Sequence, residues 1–114
     1  MAKLSNKSLT TIFSLQRRLA EGIEEASAVA WILFMQYGET EETQDELEEL
    51  DSAKERLTKL YSGLNTLLLR ILESQPNAST AMIELLLRTL EQGQATVDAA
   101  NASIQEIKRN WNLK

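Results

Sequence analysis

A chain of 114 residues, 43% apolar and 25% charged, is of single-domain size and has enough apolar side chain for a modest core. It contains no cysteine and no histidine, which excludes disulfides, thiolate nucleophiles, zinc knuckles, imidazole bases and the Glu-x-x-His di-iron sites of helical bundles. Four glycines, one proline and a formal charge of −5 point to long helices and away from general binding of nucleic-acid phosphates.

The first residues, Met-Ala-Lys-Leu-Ser-Asn-Lys-Ser, hold no apolar run of signal-peptide length. No later run approaches the ~20 apolar residues of a membrane span, so a cytoplasmic chain without membrane contact is expected. The first periodic segment carries Ile12, Leu15, Leu19, Ile23, Ala26, Ala30, Leu33 and Tyr37 at spacings of three and four, with Ser8 placed as an N-cap. This predicts a helix over about 8–37, closed by Gly38 as a C′ glycine in the left-handed region.

Within that helix, residues 28–35 (Ala-Val-Ala-Trp-Ile-Leu-Phe-Met) are apolar on every side. At about 100° per residue, Val29, Ala30, Leu33 and Phe34 join or flank the core stripe, whereas Ala28, Trp31, Ile32 and Met35 project on the opposite side. One turn earlier that side holds Arg17, Glu21, Glu24 and Glu25. A second apolar face asks for a second burial partner, so Ala28, Trp31, Ile32 and Met35 are the candidate interface for a homodimer or a partner's helix. Gly22, Ala26 and Ala30 form a small-residue ridge on the inward side of the same helix.

The second segment opens on the capping box Thr43-Gln-Asp-Glu46, with acidic residues crowding its first turns where the helix dipole favours them. Leu47, Leu50, Leu57, Leu60, Tyr61, Leu64, Leu68 and Ile71 carry its stripe over about 43–74. Gly63 could break the helix, but the apolar phase passes through it without a slip. The acidic run 39–51 reads as a solvated face, opposite in charge to the C-terminal Lys108, Arg109 and Lys114 expected at the same end.

Pro76 ends the second helix, and Asn77-Ala-Ser79-Thr80, which matches a glycosylation sequon, is read as a turn and cap. The third stripe, Ile83, Leu86, Leu90, Gly93, Val97, Ala100, Ile104, Ile107 and Trp111, keeps a strict heptad rhythm over about 79–111. The echo between Leu67-Leu-Leu-Arg-Ile-Leu-Glu73 and Leu85-Leu-Leu-Arg-Thr-Leu-Glu91 is read as one leucine-rich layer shared across the Pro76 turn. The expected fold is all-α: one domain over 1–114, three long antiparallel helices in an up-down-up bundle, assembled into a dimer.

Glu21-x-x-Glu24 and Glu48-x-x-Asp51 resemble the paired acidic motifs of the all-α nucleoside triphosphate pyrophosphohydrolases, which would imply magnesium held between two helices. Pairing the helices about Gly38 sets the two motifs ~13 Å apart along the axis, too far for one cation, so no membership of that family follows. No catalytic, cofactor-binding or metal-ligating residue is assigned. The expected function is a non-enzymatic interaction or scaffold module; the alternative is a small-ligand sensor with an apolar pocket near Gly22 and Gly93.

Overall fold

The computed structural model describes residues 4–113, which form three helices and no strand: α1 (Asn6–Tyr37), α2 (Glu41–Glu73) and α3 (Thr80–Asn110). Each helix packs against the other two, in a body measuring 56 × 19 × 17 Å. Helix α2 runs through Gly63 without interruption, and the Gln75–Pro76 peptide in the turn before α3 is cis.

The helix starts differ from the sequence expectation in two places. Ser5, not Ser8, caps α1: the Ser8 N–H donates to the Ser5 hydroxyl at 3.1 Å. The earlier start lets Leu4 and Leu9 pack onto the core. In α2 the cap is Thr40, not Thr43. The Thr43 N–H donates to the Thr40 hydroxyl and the Thr40 N–H donates to the Thr43 hydroxyl, at 3.2 and 2.9 Å. Thr43 is buried, and its hydroxyl donates to the Gly38 carbonyl at 2.8 Å, which ties the start of α2 to the end of α1. Thr43→Val keeps the shape and the Thr43 N–H bond to Thr40 but removes the bonds of the Thr43 hydroxyl to the Thr40 N–H and the Gly38 carbonyl; a loss of about 1–3 kcal/mol is expected in urea unfolding.

Gly38 has φ 73 and ψ −174, a region open essentially to glycine alone. Nothing lies within 4 Å of a Cβ built there, so backbone strain alone makes glycine necessary. Gly38→Ala is therefore expected to cost about 1–3 kcal/mol, measured by denaturant unfolding. Of the polar residues in Asn77-Ala-Ser79-Thr80, Ser79 is the one that caps α3, accepting from the Met82 N–H at 3.1 Å. At its far end Asn112 turns into the left-handed region with φ 54, the Leu113 N–H reaches the Lys108 carbonyl at 2.8 Å, and the Leu113 side chain is buried.

The core forms two clusters along the long axis. Toward Pro76, Ile12, Leu15 and Leu19 of α1 meet Leu64, Leu68 and Leu86. Toward Gly38, Val29 and Leu33 meet Leu50, Ile104 and Ile107. Two glycines set the spacing between helices: a Cβ at Gly93 would lie 2.7 Å from Leu15 Cδ2, and one at Gly22 would lie 2.9 Å from Leu57 Cδ1. The missing side chains are the holes these leucines fill.

Contacts between α1 and α3 rise together in number. Leu15 meets Gly93, Arg18 pairs with Asp98 at 2.6 Å and also bonds Gln94, Glu25 pairs with Lys108 at 3.0 Å, and Tyr37 meets Trp111. Lys108 is thus neutralised by α1 and not by the acidic start of α2, because Glu25 lies beside it. Lys114 lies outside the described residues.

Candidate interaction site

The C-terminal half of α1 is anchored from within. Ala26, Val29 and Leu33 are buried, which fixes the azimuth of every residue between them. On the outer side this leaves Trp31 64% and Met35 61% exposed, with Ala28 exposed between them one turn earlier. Ile32 stands closer to the core than the helical wheel suggests: it is half-buried and packs against the cluster around Leu33 and Ile104. Phe34, which the wheel sets beside the core, is 45% exposed and extends the apolar face on its other flank.

The face ends at a clasp. Tyr37 packs edge-on against Trp111 with ring centroids 5.0 Å apart, and its hydroxyl donates to the Trp111 carbonyl at 3.0 Å. Trp111 also packs against the inner cluster, so it closes this end of the bundle. Tyr61, placed on a core stripe by its spacing, is instead 38% exposed. It lies at the margin of α2's inward arc, where Leu57, Leu64 and Leu68 already fill the space.

A second set of exposed apolar residues is less legible from periodicity: Leu69, Leu72, Leu85 and Leu87 near the Pro76 turn. Leu67, Leu68, Leu86 and Leu90 are buried as the shared layer requires. Three consecutive leucines sweep about 200° of a helix, however, so both triplets must place a member outside. That sweep is the signal in the sequence that points to Leu69, Leu85 and Leu87.

The space near the small residues is divided. Beside Gly22, between α1 and α3, a hollow of about 370 Å³ is lined by Arg18, Glu25, Asn101, Gln105 and Lys108. Its charged groups already engage one another or their neighbours, in the Arg18–Asp98 and Glu25–Lys108 pairs. At Gly93 no such space exists, because Leu15 occupies it. Among the described residues no three acidic side chains converge on a point, and the Gly22–Leu57 contact sets the Glu24 and Glu48 motifs about 10 Å apart in level. No helix is long and apolar enough to cross a membrane among these residues.

No known protein family, curated protein or solved structure matches the chain.

Proposed function

We propose that the chain is a non-enzymatic interaction or scaffold module, an up-down-up antiparallel bundle that pairs with a second copy through the outer face of α1. Trp31 and Met35 form the centre of that face, Ala28 gives the opposing helix room to approach, and Ile32 and Phe34 form its margins. The observation that carries the reading is the joint exposure of Trp31 and Met35 on a helix whose other side is fully committed to the core. Burying two such side chains is worth about 1.5–3 kcal/mol each, and a two-fold pairing counts each of them twice. The rising α1–α3 contacts and the Gly22–Leu57 contact support the up-down-up order.

Light scattering of the unmodified protein at micromolar concentration tests the reading. A mass of two chains is expected, and a mass of one chain removes self-association. A second reading, a sensor for a small polar ligand, rests on the hollow beside Gly22 and its convergent polar groups. Its ligand would have to compete with the ion pairs already formed there. It requires a thermal shift in a ligand screen that disappears when Asn101→Leu with Gln105→Leu removes uncharged polar groups from the lining.

A further inference from the structure

Of the three glycines inside helices, two are explained by leucines that would collide with a Cβ. The third, Gly63, is exposed, and nothing lies within 4 Å of a Cβ built there. A glycine in mid-helix costs stability relative to alanine, and no contact within this chain requires one at this position. Gly63 opens instead onto a groove of about 630 Å³ between α2 and α3, whose apolar surface includes Leu60, Leu67 and the 46%-exposed Leu85.

The rim of this groove is basic, in a chain whose net charge is −5. Lys59 and Arg70 line it from α2, and no Asp or Glu is among its lining residues. Arg88 of α3 stands beside it, in an adjoining hollow that shares Gln92 and is also lined by Glu91. Of the seven other described cations, Arg17, Arg18, Lys54, Arg56 and Lys108 form ion pairs, and Lys7 and Arg109, at the far ends of α1 and α3, do not. Lys59, Arg70 and Arg88 form none with any described carboxylate, although Glu55, Glu73, Glu84 and Glu91 lie one turn away along the same helices. Unpaired cations around an apolar strip are complementary to a ligand with an apolar stripe flanked by carboxylates.

The groove is open along its length rather than enclosed, which suits a helix laid into it better than a small molecule that must be surrounded. From Lys59 to Arg70 it spans about 16 Å at 1.5 Å per residue, or three turns. We propose that the α2/α3 groove is a docking site for an acidic amphipathic helix of a partner protein. The partner's apolar stripe lies over Leu60, Gly63 and Leu85, and its carboxylates meet Lys59, Arg70 and Arg88. The site shares no residue with the α1 face and stands whether or not that face pairs two copies.

The test uses the full chain and two dye-labelled designed peptides of four turns with the same leucine stripe, one flanked by Glu and the other by Lys. Fluorescence anisotropy is expected to show saturable binding of the Glu peptide, weakened by salt, with the Lys peptide at least about tenfold weaker. Lys59→Glu with Arg70→Glu should reverse that preference. Gly63→Leu, which has room for its side chain and improves helix propensity, should abolish binding while circular dichroism stays unchanged. Equal binding of the two peptides, no binding of either, or binding that survives Gly63→Leu overturns the proposal. So does loss of self-association in Gly63→Leu, which would make the occupant a second copy, and so does loss of peptide binding in Trp31→Glu in place of Gly63→Leu.

Discussion

Leu15→Ala is expected to destabilise the protein by about 3–5 kcal/mol, a large share of the roughly 5–15 kcal/mol that holds a domain of this size together. Leu15 is 1% exposed and fills the hole left by the absent side chain of Gly93. Its removal therefore leaves a cavity between α1 and α3 that neither backbone can close. The partner substitution separates this explanation from a general loss of apolar area. Alone, Gly93→Ala gains about 1 kcal/mol of helix propensity but loses about 1–3 kcal/mol by crowding Leu15, so a small net destabilisation is expected. In the Leu15→Ala background the crowding is gone and the added methyl sits in the cavity, so Gly93→Ala should stabilise by about 1 kcal/mol or more. Urea unfolding of the four proteins measures the reversal of sign. If Gly93→Ala has the same sign in both backgrounds, the Leu15 side chain does not occupy that hole.

Trp31→Glu addresses association and leaves folding nearly untouched. Trp31 is 64% exposed, so its replacement should change the monomer's stability by no more than about 0.5 kcal/mol. At the proposed interface the same change removes a large aromatic anchor from both copies and introduces two carboxylates. With about 2 kcal/mol or more lost per anchor, the dimer should weaken by about a thousandfold or more. Light scattering should then report a single chain at concentrations where the unmodified protein reports two, with unchanged helicity. Phe13→Glu is the matched control: Phe13 is 54% exposed on the same helix but lies about 27 Å from Trp31 along it. It should leave the dimer intact. A Trp31→Glu protein with the mass of the unmodified one would remove the α1 face from consideration.

The helices were legible in the sequence because each apolar stripe keeps its phase for some thirty residues, long enough to override the local ambiguity of Gly63. Their starts were less so. Both Thr40-x-x-Thr43 and Thr43-x-x-Glu46 offer cap chemistry, and the choice between them comes from tertiary structure: Thr43 is buried against the Gly38 carbonyl, where an N-cap exposed to water would not be. The outer face of α1 was visible as surplus hydrophobicity, yet Ile32 and Phe34 lie near the boundary of the core. There a few tens of degrees of helix rotation decide which is covered, and the wheel does not resolve that. The α2/α3 groove was hidden for a different reason. Its rim combines Lys59 and Arg70 with a residue of another helix, Arg88, and only packing brings the two helices together. Gly63 was the one local sign of it, and periodicity alone reads that glycine as a weakness.

The slender outline of the molecule affects how its assembly must be measured. Its radius of gyration is 17.2 Å, whereas a compact chain of this length would have about 13 Å and one of twice the length about 17 Å. A single copy therefore has the size of a compact dimer. Against globular standards in gel filtration it would elute ahead of its true mass, toward that of two chains, so retention volume is a poor guide to whether the protein is associated. Measurements that weigh the particle, such as light scattering or sedimentation equilibrium, decide it.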